Sequence, residues 1–403
     1  MSLFNRAEVV DKNFTSRIKE GKLPDSRTHS LNKNQSISDS DLISIFESQV
    51  ASRHMDLKAR LLKDNGKCYY TIGSSGHEGN AAFGYVFPFT DMAFLHYRDM
   101  PFFLQRSKQV SGMTPFYDAG LSFMASSEDP ISGGRHKVIG SKTLNIPPQT
   151  STIASHLPKA VGTAFSIDRA KDLNLKERLL KPKSIVLCSF GDASVNHATA
   201  LSAFNTAAWI NNLGGHVPII FLCEDNGTGI SVPTQDGWIE NNFSKRVGIQ
   251  YIKSDGLHIL DLIVKSRKAE HIARKQRCPV FLHMKTIRLM GHAGSDVEIG
   301  YKSIKEIEEI ESNDPLLHSA RILIDKKCLT SLEILSLYEN IRQQINFVFD
   351  SAVLRPKLVK AKEVISTIQA NQNEKKYIPA NPQLSLRRKL FGKEFKRMEI
   401  PQH

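Results

Sequence analysis

The sequence is poor in cysteine, with five in 403 residues, at positions 68, 188, 223, 278 and 328. No two form a Cys-x-x-Cys pair and the number is odd. This excludes a disulfide framework and a cysteine-based zinc site, and it is the usage of a reducing compartment. Long apolar runs are lacking too. The longest, such as Val217 to Cys223, fall far short of the roughly 20 residues that span a bilayer as a helix. The N-terminus, Met1 to Glu8, lacks the basic-then-apolar order of a signal peptide. A cytoplasmic protein with no membrane partner is therefore expected. There is no internal repeat. No helix-turn-helix, zinc-finger or aromatic RNA-binding pattern is present, so nucleic acid is not an expected partner either.

What is present is an excess of positive charge. There are 54 Lys+Arg against 41 Asp+Glu, a formal net charge of +13. The excess is concentrated at the C-terminus, where residues 355–403 hold 12 Lys+Arg and 4 Asp+Glu. Otherwise the composition is that of an ordinary globular chain, with 40% hydrophobic and 24% charged residues. At about 150 residues per domain, the length allows two to three domains, or one large α/β domain with appendages.

Three segments follow from composition and periodicity. Residues 1–37 are polar and are expected to form a poorly packed arm. Residues 38–354 carry the core patterns. A helix is expected from Ser38, with Leu42, Ile43, Phe46, Val50, Leu57 and Leu61 at helical spacing. Residues 72–150, rich in Gly, Pro, Ser and aromatics, read as loops and short helices. Residues 355–403 read as a basic tail or linker.

The clearest unit starts at Ser184. An apolar run to Phe190 is followed by Gly191-Asp192-Ala193-Ser194, a helical stretch over about 195–212, and a second run from Pro218 to Cys223. That run ends in Glu224-Asp225-Asn226-Gly227, and a third, Val280 to Thr286, precedes the loop Arg288 to Gly294. Strand, helix, strand predicts a buried parallel sheet, with ligands at the carboxyl ends of its strands. Residues 303–350 are expected to be helices covering that sheet.

Asp192 and Asn226 are 34 residues apart in sequence, yet each follows a strand end. A carboxylate and an amide oxygen suit a hard cation such as Mg²⁺, which shares its shell with phosphate oxygens. Gly191 would admit a diphosphate, and a helix starting near Val195 would point its N-terminus at it. An Asp N-cap followed by an Asn-Gly turn accounts equally well for the same residues. Arg98, Arg288 and His292 add donors suited to a diphosphate.

Gly191-Asp192-Ala193 and Asp225-Asn226 resemble the Gly-Asp-Gly and Asn-Asn signature of thiamine diphosphate enzymes. The wider set resembles the α subunit of the decarboxylating component of 2-oxo acid dehydrogenases. It includes Gly76-His77-Glu78, His96-Tyr97-Arg98, Gly133 to His136, Gly140 to Asn145, Leu157 to Ala164 and the loop at His292. The resemblance covers roughly residues 40–350 in the family's order. It implies the thiamine diphosphate-binding α/β fold, a parallel sheet flanked by helices. It implies Mg²⁺ on Asp192, Asn226 and the carbonyl of Thr228, and diphosphate on Tyr97, Arg98, Arg288 and His292. Ala193 and Ser194 would offer backbone, Ser151 would meet the aminopyrimidine, and Ile153 would be the buttress that bends the cofactor. His292 would also border the reacting carbon.

The implied function is decarboxylation of a 2-oxo acid, branched-chain or pyruvate, with the acyl group passed to a lipoyl carrier. The implied partners are a β subunit that completes the active site, in a heterotetramer of two α and two β chains, and a lipoyl-bearing acyltransferase core. The chain ends at His403, with no room for a β domain of comparable size, so it is expected to be inactive without a β partner. Residues 355–403 are separately expected to be a linker leading into a β half, cut off or encoded separately. Ala193 departs from the signature's last Gly and is expected to be tolerated at negative φ. Asn211 to Gly215 reads as an inserted surface turn. Ala293 stands where animal relatives carry a phosphorylated Ser, so that switch is not expected. Two alternatives share the motifs: an acetoin-type dehydrogenase, and a degenerate structural subunit. The presence of Asp192, Asn226, Arg98, Arg288 and His292 argues against the second.

Overall fold

The computed structural model describes residues 5–26, 37–68 and 72–368. The chain opens with helices α1 (Arg6–Lys19), α2 (Asp39–Asp64) and α3 (Ala81–Val86), then strand β1 (Met92–Phe94). Helices α4 (Met100–Ser107), α5 (Pro115–Phe123) and α6 (His156–Asp172) lead to β2 (Val186–Gly191), α7 (Ala198–Asn212) and β3 (Ile219–Asp225). A small hairpin, β4 (Thr228–Gly229) and β5 (Val232–Pro233), precedes α8 (Trp238–Phe243), β6 (Gln250–Asp255), α9 (Ile259–His271) and β7 (Val280–Lys285). The last elements are α10 (Ile304–Ser312), α11 (Pro315–Asp325), α12 (Ser331–Val353) and α13 (Ala361–Ile365).

Five strands form one parallel sheet in the order β1-β2-β3-β7-β6. Successive side chains of a strand face opposite sides, so each run divides between two cores. Val186, Cys188, Phe190, Ile219, Phe221 and Phe281 pack with α6 and α7. Leu187, Ile220, Leu222, Val280, Leu282 and Met284 belong to a larger core that takes in α9 next to the sheet and extends through α2 and α4 to α12 farther from it. Burial on both faces is why these strands read as unbroken apolar runs.

Ser38 caps α2 as expected, its hydroxyl accepting from the Asp41 N–H. The expected arm is corrected where it is described: residues 6–19 are a packed helix. Ala7, Val10, Phe14 and Ile18 recur at 3–4 residue spacing and are buried, with polar residues around them hiding the stripe in the composition. Residues 1–4 and 27–36 of that arm lie outside the described residues. The C-terminal helices also differ from expectation, because α12 packs chiefly on α2 and α5 and α11 on α2, rather than over the sheet. The described residues divide between Leu358 and Val359 into two units. Most of the basic tail lies outside the described residues. None of the described helices is long and apolar enough to cross a membrane.

Candidate functional site

The register brings the carboxyl ends of the central strands together. Gly191 pairs with Glu224, and Asp225 with Lys285, so the residues that follow β2, β3 and β7 emerge side by side. β1 lies next to β2 and feeds the His96-Tyr97-Arg98 segment to the same edge. A cavity of about 490 Å³ opens there, and all eleven residues singled out from the sequence line it. Tyr97, Arg98, Asp192, Ser194, Asn226, Thr228, Arg288 and His292 line it from buried or half-buried positions, while Ser151, Ile153 and Ala193 are exposed. Ile153 keeps 47% of its surface open among the described residues.

Two guanidinium groups face this cavity from buried positions. Arg98 donates to the Gly73 carbonyl at 2.6 Å and to the His292 carbonyl and Nδ1, both at 3.2 Å. Arg288 donates to the Ile230 carbonyl at 2.7 Å and the Tyr301 hydroxyl at 2.9 Å, and its buried Nε has no partner. Neither makes an ion pair among the described residues. Burial pulls the Arg98 pKa down, and the positive charge of Arg288 adds to that effect. Two buried cations with unspent donors suit an anionic ligand.

The backbone carrying Arg288 is fastened to the loop before α3. The Thr286 hydroxyl donates to the Gly76 carbonyl at 2.7 Å, and the Leu289 N–H to the Ser75 carbonyl at 3.1 Å. Gly76 has φ +103, and a Cβ there would lie 2.2 Å from the Ile287 carbonyl oxygen, so only glycine allows the two segments to meet. Beneath them Arg53, wholly buried, binds Glu78 at 2.7 Å and both oxygens of Asp314 at 2.8 and 2.9 Å.

His292 accepts from Arg98 at Nδ1, which leaves its ring proton on Nε2. Burial, Arg98 and Arg288 lower its pKa to about 4. It is therefore a neutral hydrogen-bond donor at ordinary pH. Its loop is held by Asp296, which accepts from the His292 N–H at 2.5 Å and from the Tyr301 hydroxyl at 2.6 Å.

Asp192 is buried, and its Oδ2 accepts from the Thr234 hydroxyl at 2.5 Å. Burial raises its pKa, opposed by the Thr234 bond, and the charge of Asp225 raises it further. A divalent cation would relieve both penalties. Asn226 offers Nδ2 to His77 Nε2 at 3.0 Å, and its Oδ1 accepts from the Thr228 N–H at 3.1 Å. His77 Nδ1 meets Glu224 at 2.5 Å, and His96 Nδ1 lies 3.2 Å from the same carboxylate oxygen. The donor set thus fits a diphosphate held with a hard cation: oxygen ligands at one end, guanidinium groups at the other.

Several expectations change. Residues 192–196 wind as a 3₁₀ turn, so the α-helix begins at Ala198, capped by His197, and not near Val195. α7 runs through Asn212, which confines the surface turn to Leu213 to His216. Ala193 does not have positive φ. A Cβ on Gly191 would meet His96 at 3.5 Å, an ordinary contact, so Gly191 is not forced by its own conformation. The sequence alone assigns no role to His77, Glu224, Thr234 or Lys137. Only the motif containing His77 and the run ending at Glu224 pointed toward two of them.

A parallel sheet flanked by helices, with a polar cavity at the carboxyl ends of its central strands, is the architecture of an α/β enzyme of the thiamine diphosphate-binding kind. The model of the family described as "Dehydrogenase E1 component" matches residues 47–359. The chain belongs to that family, on the α-subunit side of the 2-oxo acid dehydrogenases. It is 28% identical over 337 residues to the 2-oxoisovalerate dehydrogenase subunit alpha of Bacillus subtilis, covering 81% of this chain and 96% of that one. It is 24% identical over 275 residues to the mitochondrial pyruvate dehydrogenase E1 component subunit alpha of Dictyostelium discoideum, covering 68% and 67%. The mitochondrial 2-oxoisovalerate dehydrogenase subunit alpha of Homo sapiens is 23% identical over 366 residues, covering 88% and 76%.

Proposed function

We propose that this chain is the α part of a decarboxylating component that acts on a 2-oxo acid, branched-chain or pyruvate, and passes the acyl group to a lipoyl carrier. The observation that carries this reading is the pair of buried, ion-pair-free guanidinium groups of Arg98 and Arg288, in one cavity with Asp192 and Asn226. In it, Arg98, Arg288, Tyr97 and His292 hold the diphosphate. Asp192, Asn226 and the Thr228 carbonyl hold Mg²⁺, Ala193 and Ser194 offer backbone, and Ser151 and Ile153 flank the ring end. When bound, thiamine diphosphate supplies the carbon nucleophile and the electron sink for loss of CO₂. The chain orients it, excludes water beneath it and keeps a proton on His292 Nε2 beside the reacting centre.

The open rim at Ser151 and Ile153 supports a second subunit that closes the cavity. A β chain in a heterotetramer, and a lipoyl-bearing acyltransferase core beyond it, complete the reading. An acid substrate, rather than neutral acetoin, is supported by Lys137. It lines the same cavity, stacks its ammonium 4.7 Å from the Phe123 ring centre, and donates to the Ile72 carbonyl at 3.3 Å. It makes no ion pair among the described residues, and burial lowers its pKa to about 8. A diphosphate with its cation would leave this third positive charge for a carboxylate.

Calorimetric titration with thiamine diphosphate and Mg²⁺, with and without the β partner, tests the reading. Cooperative binding of both in the complex is expected, with decarboxylation only when the β chain is present. Full decarboxylase activity from this chain alone would overturn the partner assignment, and no heat from either ligand in the complex would overturn the cofactor site.

A further inference from the structure

A side-chain amide presents two different atoms of nearly the same shape, and only its oxygen can ligate a cation. The question at Asn226 is what keeps its oxygen, rather than its nitrogen, available to the cavity. Resting on the cofactor reading above, we infer that His77 is a positioning residue that fixes the Asn226 amide, with Glu224 fixing His77 in turn.

Asn226 Nδ2 can only donate, so His77 Nε2, 3.0 Å away, must present its lone pair. The single ring proton is then on Nδ1, where it donates to Glu224 Oε2 at 2.5 Å. A carboxylate accepts only, so Glu224 selects this tautomer. Turning the amide over would set its NH₂ against the Thr228 N–H, which now donates to Oδ1 at 3.1 Å. It would also set its oxygen against the Nε2 lone pair. Moving the ring proton to relieve that clash would face a bare Nδ1 toward Glu224. Every alternative orientation therefore loses at least one of these hydrogen bonds.

The ring cannot turn away. His77 and Glu224 have 0% of their surface exposed, so His77 does not itself reach a ligand in the cavity. The His77 N–H donates to the Ser74 carbonyl at 2.7 Å, and its carbonyl accepts from the Asn80 N–H at 3.0 Å. Its neighbours Gly76 and Glu78 are tied into the network around Arg53. The second nitrogen of a ligating or orienting imidazole is commonly fixed in this way, and losing such a partner typically costs 10–100-fold in metal affinity.

The test uses two polar substitutions of different reach, in the full chain assembled with its second subunit and saturated with thiamine diphosphate. Gln carries its amide at the Nε2 distance from the backbone and can still accept from Asn226. Asn carries its amide at the Nδ1 distance, so it keeps the Glu224 bond but falls short of Asn226. Mn²⁺ is titrated and free ion followed by electron paramagnetic resonance. His77→Asn is expected to weaken Mn²⁺ binding on the order of 10–100-fold, and His77→Gln to stay within about threefold of the parent. Equal affinities for all three proteins, or equal losses in both variants, would overturn the inference while leaving the cofactor site standing. A parent complex that binds no Mn²⁺ would instead remove the cofactor reading, and this inference with it.

Discussion

Ala193 occupies the position where the signature it resembles has glycine, and the structure shows what permits a side chain there. Its partner is Gly229 on β4, where an added Cβ would come within 2.8 Å of the Ala193 Cβ. The two positions hold one methyl group between them. A real Cβ contact is never that short, so Gly229→Ala is expected to push β4, and with it Thr228, away from the 3₁₀ turn. Thiamine diphosphate affinity should fall by about tenfold or more, by analogy with core overpacking that costs about 1–3 kcal/mol. The double variant Ala193→Gly with Gly229→Ala moves the methyl to the other side and should recover most of that loss. A double-mutant cycle on cofactor affinity measures the coupling. Additive losses would mean the two residues do not share the space.

At the scale of elements, legibility followed burial. β2, β3 and β7 were plain in the sequence because both faces of each are covered, which makes them continuous apolar runs. β1 was not, because three residues, Met92 to Phe94, make no pattern within a stretch rich in Gly, Pro and aromatics. β6 was not either, because this edge strand is only partly buried and its sequence, Gln250 to Asp255, is mostly polar. The site followed the same division. Asp192, Asn226 and Arg288 stand just past strand ends and are read from local order. The pairing of His77 with Glu224, 147 residues away, and of Thr234 with Asp192 depends on how the loops return.

Helix α1 is the sharpest difference between expectation and structure, and it can be tested directly. Phe14 is fully buried and stacks on Tyr338 at 4.5 Å between ring centres. Asp11 accepts from Arg342 at 2.7 and 2.8 Å and from the Tyr338 hydroxyl at 2.8 Å. Phe14→Ala is expected to destabilise the chain by about 3–5 kcal/mol, as for other buried aromatic truncations. Chemical denaturation measures it, and a loss below about 1 kcal/mol would restore the reading of this segment as a loosely held arm.

For the whole molecule, the charge excess that dominates the sequence is the less informative quantity. The interior holds ionisable groups that set the response to pH. Arg53, Glu78 and Asp314 form a buried cluster beneath the site, and His54 lies beside it on α2. His54 Nε2 donates to the Tyr338 carbonyl at 2.9 Å, and the ring lies 4.1 Å from the Tyr338 ring. Burial, followed by the positive charge of Arg342, lowers its pKa to about 3. In the unfolded chain the same imidazole has its ordinary value of about 6.5. Below that pH the unfolded state binds a proton that the folded state refuses, so this histidine's contribution is complete above about pH 6.5 and declines as the pH falls toward 3. Between pH 7 and pH 5 the loss from this one group is about 2 kcal/mol. Replacing His54 with Gln keeps a donor for the Tyr338 carbonyl and removes the titration. Denaturant midpoints of the parent should therefore fall more steeply on acidification than those of His54→Gln. Parallel curves for the two proteins over that range would show that His54 is not held neutral by the fold.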